Sequence, residues 1–300
     1  MTMTTRLPGF EEVMAPSPGH ILLRRGLHHK GLVIGGAVLG AIVVLALLAP
    51  WLSPHDPYQQ DLLARTQPPI WHARGSWENV LGTDHLGRDY LSRLIHGSRI
   101  SLLIGLSVAL ISGVVGTLLG VTAGYFGGRV DTIVTFVIVT RLTLPAMLVA
   151  LAVVAVIGNS MQTVILVLGF LLWDRFALVI RAATMQIRAQ DYVMAAEAQG
   201  CSVPRIVLCE ILPNLLNSLI VVATLEMAHA IILEAALSYL GIGVEPPLPS
   251  WGLMVSEGKE LLLFEPWLIT IPGVALFMLV LSINLLGDGL RDVTAPEARN

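Results

Sequence analysis

The sequence carries ionisable side chains inside long apolar stretches, namely Arg141, Asp174, Glu226, His229 and Glu234. A charge at the centre of a bilayer costs about 2.5–3.5 kcal/mol on the insertion scale, so such residues mark either internal ion pairs or a polar path. If these stretches span a membrane, Arg141 and Asp174 lie at equal depth, about 12–14 Å from the inner face. We predict that they form a structural pair or share a polar cavity, with substrate contact as the alternative.

Glu226 and His229, one helical turn apart, share a single apolar stretch with Glu234. An acid and an imidazole at this spacing can hydrogen-bond to each other or to a neighbouring helix. They can also contact solvent or substrate in a pore. The residues alone leave both interpretations open.

Motifs for nucleotide binding and hydrolysis are missing. The chain contains no G-x-x-x-x-G-K-[ST], no H-E-x-x-H and no G-x-S-x-G sequence, which are the usual signatures of phosphate loops, zinc sites and serine nucleophiles. Cys201 and Cys209 fit no metal or redox spacing and are predicted to pack as small hydrophobic side chains. We therefore predict no catalytic site, no metal and no cofactor in this chain, and any uphill transport must draw energy from another subunit.

The composition is that of a membrane protein. Hydrophobic residues make up 55% of the chain and charged residues 13%, whereas soluble domains average about 25% charged. The formal net charge of −3 is too small for a nucleic-acid binder. The chain is therefore predicted to cross a lipid bilayer several times.

Long, mainly apolar stretches are the predicted elements that position these residues. Each exceeds the ~20 residues that an α-helix needs to cross the hydrocarbon, and helices satisfy their own backbone hydrogen bonds there. The predicted fold class is an all-α integral membrane protein with six transmembrane helices. The spans are expected at residues 31–53, 100–126, 132–157, 162–182, 214–241 and 266–287.

An even number of spans puts both termini on one side of the membrane. The excess of Lys and Arg on the inner segments, above all Arg24, Arg25 and Lys30, predicts that this side is the cytoplasm. The predicted organisation is an N-terminal tail 1–30, a first helix 31–53, an outer loop 54–99, a core 100–290 with inner loop 183–213 and outer loop 242–265, and a C-terminal tail 291–300.

The inner loop 183–213 has the pattern of a helix, a break and a second helix. Residues 189–199 are good helix formers, and Gly200 suits the left-handed conformation that follows a helix end. Ala195 and Ala196 give the first helix a smooth face. A short helix held away from the membrane is typical of a docking element, although a plain connecting loop remains the alternative.

At these positions the chain resembles the permease subunits of bacterial ABC importers. Their cytoplasmic signature is E-A-A, three residues, G, nine residues and I-x-L-P. Met194 replaces the signature Glu, Glu210 stands where Ile is usual, and Glu197 can substitute in part from the next turn. The resemblance implies that the segment couples the chain to an ATPase through Ala195, Ala196, Glu197, Gly200 and Pro213.

The outer loop narrows the resemblance. Residues 81–102 are similar to the outer-loop signature of the dipeptide/oligopeptide/nickel permease family, in its second, C-type subunit, and residues 123–128, 237–243, 246–252 and 284–292 match further family motifs. We expect the charged residues of this signature to form a folded, self-paired loop at the outer end of a pore, and contact with a binding protein is the second interpretation. These residues are Asp84, Arg88, Asp89, Arg93 and Arg99.

Gly116, Gly120 and Gly124 recur every four residues in the second span. A stripe of small residues lets another helix backbone approach closely. The stripe predicts tight helix packing, either within the chain or against a partner subunit.

The resemblance implies a type I ABC importer permease (MetI-like) fold in the bacterial cytoplasmic membrane. The implied partners are a second homologous permease that completes a heterodimeric pore, two ABC ATPase subunits that bind ATP and Mg, and an extracytoplasmic substrate-binding protein. Related importers line their pores with the fifth span, which would place Glu226, His229 and Glu234 near the pore. The implied function is ATP-driven uptake of di- and oligopeptides. Nickel or glutathione uptake by the same architecture is an alternative, and an ion-coupled carrier is the alternative from another class.

Overall fold

The computed structural model describes residues 24–294 and is built almost entirely of α-helices. Within this range the only β-type pairing is a single bridge between Thr83 and Asp89. The predicted tails 1–30 and 291–300 lie for the most part outside the described residues. The helices are α1 (Lys30–Leu47), α2 (Ala49–Leu52), α3 (Tyr90–Phe126), α4 (Gly128–Thr143), α5 (Ala146–Ile157), α6 (Met161–Gly169), α7 (Asp174–Arg188), α8 (Asp191–Ala198), α9 (Val203–Ile206), α10 (Leu212–Tyr239), α11 (Trp251–Gly258) and α12 (Trp267–Thr294).

Among the described residues, five helical segments are long and apolar enough to cross a membrane, and a sixth results if α4 and α5 are counted as one broken span. The five are Lys30–Leu47, Tyr90–Phe126, Met161–Arg188, Val203–Tyr239 and Trp267–Thr294. The inner ends of α1 and α12 meet, since His29 Nε2 lies 3.2 Å from Asp292 Oδ2. This contact places both ends of the described chain on one side of the bundle.

The predicted third span, 132–157, is not a single straight helix. α4 and α5 meet at an angle of 83°. The break falls at Leu144, whose φ and ψ of −90° and 125° are extended, because the ring of Pro145 disfavours the helical conformation in the preceding residue. α6 and α7 are likewise separated, by the short segment 170–173.

Two predicted loops are more helical than expected. α3 begins at Tyr90, so the last part of the predicted outer loop 54–99 is helix, and Asp89 Oδ2 caps it by accepting a hydrogen bond from the Ser92 backbone N–H at 2.8 Å. On the inner side α9 runs into α10 through one π-turn, Val207–Ile211. In this π-turn the Leu212 backbone N–H donates to the Val207 carbonyl, and Pro213, which has no N–H to donate, follows in the first turn of α10.

Three hydrophobic clusters hold the helices together. One lies on the outer side around Tyr90, Trp251 and Trp267, and one joins α3, α6 and α10 through Ile104, Leu168 and Leu237. The third lies on the inner side and includes Val193 of α8, Ile206 of α9 and Ile211. Cys201 packs at the edge of this inner cluster, whereas Cys209 is exposed on the π-turn, contrary to the expectation that both cysteines are packed.

Candidate functional site

The inner loop presents α8 as a short helix on the surface of the bundle. Val193 is buried in the inner cluster and anchors the helix, while Ala195 is exposed and Ala196 is half-buried. Since Val193 and Ala196 attach one side of α8 to the inner cluster and Ala195 is uncovered on the other side, the helix offers a smooth surface to a partner. Pro213 is exposed at the start of α10.

Gly200 ends the α8 segment in the left-handed conformation, with φ of +76°. The Cys201 backbone N–H donates to the Ala196 carbonyl at 3.1 Å, and the Gly200 N–H donates to the Glu197 carbonyl at 3.0 Å. No neighbouring atom lies within 4 Å of the position that a Cβ would take. Glycine is therefore required here by backbone conformation and not by a lack of space.

Glu197 ties α8 to the two helices beside it. The Tyr125 hydroxyl of α3 donates to Glu197 Oε1 at 3.1 Å, and Arg188 Nε of α7 lies 3.7 Å from the same oxygen. The Arg188 guanidinium also stacks 5.0 Å from the centre of the Tyr125 ring. The structure thus engages Glu197 within the chain, where it fixes the orientation of α8.

The glycine stripe of α3 packs against α7 of the same chain. A Cβ at Gly120 would lie 2.8 Å from the Ala177 carbonyl oxygen, and one at Gly124 would lie 2.7 Å from the Arg181 carbonyl oxygen. A Cβ at Gly116 would overlap Phe176. The stripe therefore brings two backbones into direct contact and fixes α7 beside α3.

Arg141 and Asp174 come together where both broken spans are interrupted. Arg141 Nη1 lies 3.8 Å from Asp174 Oδ2, and Arg141 Nε donates to the Leu171 carbonyl at 2.8 Å. Arg141 Nη2 donates to the same carbonyl. The break after α6 leaves this carbonyl without a helical partner, so Arg141 satisfies a backbone acceptor inside the membrane region as well as facing a carboxylate.

Glu226 of α10 is fully buried and is bound by two side chains. Arg175 Nη1 of α7 lies 3.2 Å from Glu226 Oε1, and His229 Nδ1 lies 3.4 Å from Oε2. The Arg175 side chain is 56% exposed, in contrast to the 1% exposure of Glu226. Sequence reasoning missed Arg175 as a partner, although its position beside Asp174 in an apolar stretch was a usable signal.

Glu234 does not share this environment. Its Oε1 accepts hydrogen bonds from the Ser238 hydroxyl at 2.8 Å and the Ser250 hydroxyl at 3.0 Å. Because the side chain is enclosed between α10 and the start of α11, it links two elements of the chain and does not face a pore. Of the two interpretations left open by the sequence, the structure places Glu234 in a helix-linking position.

The outer loop is held by a buried ionic cluster. Arg88 Nε lies 2.7 Å from Asp84 Oδ2, and the Arg88 Nη2 to Glu257 Oε1 distance is 3.1 Å. Arg93 pairs with both carboxylates, at 2.7 Å from Glu257 Oε2. Burial alone would raise the pKa of Asp84, but Arg93, Arg88 and two backbone N–H groups outweigh it and hold the pKa below its ordinary value. Asp84, Glu257 and the nearby His85 could meet around one ion, but the two guanidiniums already balance both carboxylates.

The remaining residues of the outer-loop signature stand apart from this cluster. Asp89 caps α3 and lies 3.8 Å from His55 Nδ1, whereas Arg99 is exposed on α3. Glu257, which completes the cluster from α11, was missed by sequence reasoning. It lies 164 residues from Arg93 along the chain, and no local pattern connects the two.

Comparisons with known proteins agree with this architecture. The model of a family described as "Binding-protein-dependent transport system inner membrane component" matches residues 116–300, and "N-terminal TM domain of oligopeptide transport permease C" matches residues 17–69. The chain therefore belongs to the family of inner membrane components of binding-protein-dependent transport systems. It is a multi-pass membrane protein and a transport component.

Several curated relatives resemble the chain over nearly its whole length. It is 40% identical over 285 residues to the di/tripeptide transport system permease protein DppC of Pseudomonas aeruginosa, covering 95% of this chain and 94% of that protein. It is 41% identical over 271 residues to the dipeptide transport system permease protein DppC of Escherichia coli, covering 90% of each. The corresponding protein of Haemophilus influenzae is 38% identical and covers 90% of this chain and 92% of the relative.

The fold is that of a type I importer permease. A chain of the MetNI methionine ABC transporter in an inward-facing conformation matches with a TM-score of 0.56, at 20% identity, over 68% of this chain and 96% of that one. A second crystal form of MetNI matches with a TM-score of 0.54. The predicted fold class and family are thereby confirmed.

Proposed function

We propose that this chain is one of two permease subunits that form the membrane pore of an ATP-driven importer for di- and oligopeptides. Three relatives that carry a peptide-transport name align over at least 90% of this chain at 38–41% identity. A second, homologous permease completes the pore. The chain itself has no catalytic role, and ATP and Mg bind to partner subunits.

The exposed helix α8 is the observation that carries the coupling to ATP. Ala195 is uncovered, Val193 and Ala196 anchor the other side of the helix, and Glu197 fixes its orientation against α3 and α7. Two ABC ATPases dock at this helix and at the matching helix of the second permease. When they close on ATP, α8 moves with them and shifts the permease between inward-open and outward-open conformations.

The outer loop receives the substrate-binding protein. The ionic cluster of Asp84, Arg88, Arg93 and Glu257 fixes this loop to α11. A fixed outer surface gives a substrate-binding protein one geometry in which to dock and release peptide. Exposed Arg99 and the surface around Asp56 are available for that contact.

Uptake in a deletion strain tests the proposal. Labelled di- and tripeptides, nickel and glutathione are offered to cells that lack the chain, to cells complemented with it and to complemented cells whose ATPases carry a Lys→Ala change in the phosphate loop. Peptide uptake that returns with the chain and disappears with the ATPase change is the expected result. Uptake of nickel or glutathione without peptide would overturn the substrate, and uptake that survives the ATPase change would overturn ATP-driven import in favour of an ion-coupled carrier.

A further inference from the structure

The group of Arg175, Glu226 and His229, which we call the mid-span cluster, lies halfway along the membrane segments of α7 and α10. Glu226 stands near the centre of Leu212–Tyr239. The exposed group of this cluster is the guanidinium of Arg175, with 56% of the side chain uncovered, and the imidazole of His229 is 30% uncovered. A charged group at this depth must face water, a polar ligand or a polar group of the second permease, because hydrocarbon does not solvate it.

Further polar residues extend from the mid-span cluster toward the inner end of the same two helices. On α7, Gln186 follows Arg175 after three helical turns and is exposed. On α10, Ser218 precedes His229 by three turns and is half-buried, and Asn214 precedes Ser218 by one turn and is exposed. We call these three residues the polar track.

At the inner end of the polar track, α10 also contacts α8. Asn214 Nδ2 donates a hydrogen bond to the hydroxyl of Tyr192, at the start of α8, at 3.3 Å. The uncovered sides of α7 and α10 therefore carry polar groups at the middle of the membrane and again near its inner surface. An apolar lipid environment would favour none of them.

The hydrogen-bonding groups of the mid-span cluster decide what kind of ligand fits. Both carboxylate oxygens of Glu226 are occupied, one by Arg175 and one by His229, and the carboxylate is 1% exposed. Within residues 24–294, Arg175 makes a single side-chain hydrogen bond, through Nη1. The groups that face outward are thus guanidinium and imidazole nitrogens. An ammonium group would find no uncovered acid, whereas a carboxylate would find a guanidinium in a fixed orientation.

We propose that Arg175, oriented by Glu226 and flanked by His229, binds the C-terminal carboxylate of a peptide during its passage, and that the polar track lines the path from there to the cytoplasm. This inference rests on the proposed function, since it names the part of the peptide that the chain contacts. Because Glu226 already balances the charge of Arg175, the site holds a carboxylate weakly enough to release it, as transport requires.

Uptake rates at saturating peptide test the role of Arg175. The probes are L-alanyl-L-alanine and its C-terminal amide, measured in cells with wild-type chain, Arg175→Gln or Arg175→Lys at matched permease levels. Arg129→Gln is the control, because it removes an exposed Arg at the inner end of α4, away from the mid-span cluster. We expect Arg175→Gln to lower the maximal rate for the free acid about tenfold, the effect of losing one hydrogen bond to a charged group. Arg175→Lys and Arg129→Gln should each keep more than half of it.

Each outcome decides the matter. An equal loss for acid and amide, or equal rates for Arg175→Lys and Arg175→Gln, would make Arg175 a structural residue and overturn the proposal. Wild-type rates in Arg175→Gln would do the same while leaving peptide import intact. Absence of L-alanyl-L-alanine uptake with the wild-type chain would instead remove the proposed function, and the carboxylate site with it.

Chemical labelling gives an independent measurement. In a chain with Cys201→Ala and Cys209→Ala, we expect Arg175→Cys to react with a water-soluble, membrane-impermeant maleimide in permeabilised cells. Leu118→Cys, on the apolar surface of α3, should not react. If neither the cysteine at position 175 nor the cysteine at position 118 reacted with the maleimide, the result would contradict a water-accessible path at Arg175.

Discussion

Arg93 and Glu257 lie 164 residues apart in the sequence, yet Arg93 Nη1 donates to Glu257 Oε2 at 2.7 Å. The Arg93 side chain is completely buried at the start of α3, and Glu257 reaches it from α11. This contact ties the two halves of the extracytoplasmic surface together. It makes the outer loop a fixed part of the bundle.

Replacing Glu257 should therefore destabilise the permease. Glu257→Gln leaves Arg88 and Arg93 with Asp84 as their one remaining acid in the cluster, and removing one partner of a buried pair costs about 3 kcal/mol. The melting temperature of the purified transporter should fall by several degrees. Glu260→Gln, at an exposed acid one turn away, is the control and should melt like wild type. Identical melting of both variants would show that the cluster does not stabilise the fold.

The same cluster predicts a dependence on acid. Since the folded chain lowers the pKa of Asp84 below its ordinary 3.8, the ionised carboxylate stabilises the fold above that value and loses its effect as the pH falls through the folded-state pKa. The difference in melting temperature between wild type and Asp84→Asn should be constant between about pH 7 and 5 and should shrink below about pH 4. A difference that stays constant down to pH 3 would contradict this assignment.

Close packing of α3 on α7 predicts opposite effects for two glycine substitutions. Gly120→Ala places a methyl group 2.8 Å from the Ala177 carbonyl oxygen and should lower both the membrane level and the melting temperature of the permease. Gly40→Ala, in α1, has no neighbour within 4 Å and should be neutral or stabilising by up to about 1 kcal/mol, because alanine favours the helix. Immunoblots and thermal unfolding of the two variants measure this contrast. Equal behaviour would mean that α3 and α7 can separate without cost.

Arg141 should be more important for stability than its acidic neighbour. Arg141→Ala removes the donors to the Leu171 carbonyl as well as the partner of Asp174, whereas Asp174→Ala removes one contact at 3.8 Å. In a double-mutant cycle on melting temperature, adding Asp174→Ala to Arg141→Ala should therefore restore stability only in part. Complete restoration would show that the hydrogen bonds from Arg141 to the Leu171 carbonyl do not contribute to stability.

Two changes in the coupling segment should separate ATPase binding from membrane insertion. Gly200→Val strains a left-handed backbone position, and Ala196→Glu places a charge at the half-buried contact between α8 and the inner cluster. Both should reduce co-purification of the ATPase subunits and peptide uptake at unchanged permease levels. Gly241→Val is the matched control, since Gly241 has a similar φ of +81° and open surroundings but lies at the outer end of α10. If Gly200→Val and Ala196→Glu both retained the ATPases, α8 would be only a connecting segment and not a docking element.

Local patterns in the sequence were sufficient for much of this architecture. Hydropathy located the spans. Gly200 located the break, and the alanines located the exposed helix, because each of these two features is determined by residues that are close together in the sequence. The bend at Leu144 was missed, although Pro145 was its visible cause, because hydropathy averages over a window and ignores one backbone restriction.

Pairings between distant elements could not be predicted in the same way. The sequence indicated that Gly116, Gly120 and Gly124 pack tightly, but only the fold identifies α7 as the neighbour. Glu257 and Arg175 carry charges whose partners are far away in the chain, so their roles appear only when the helices are assembled. Only one pairing between distant residues was predicted from the sequence. Arg141 and Asp174 were expected to meet because they lie at the same depth in the membrane.

The length of the helical segment Val203–Tyr239 has a mechanical consequence. This segment has 37 residues, so at 1.5 Å per residue it is about 55 Å long and extends beyond the hydrocarbon. Ile231 packs against Gly105 of α3 so tightly that a Cβ at Gly105 would lie 2.8 Å from it, and this contact can act as a fulcrum. Treated as a rigid lever, the segment has an inner arm of about 42 Å to Val203 and a distance of only about 7.5 Å to Glu226. A swing of the inner end is thus reduced about sixfold at Glu226, and the path can open toward the cytoplasm while the Arg175–Glu226 pair stays closed.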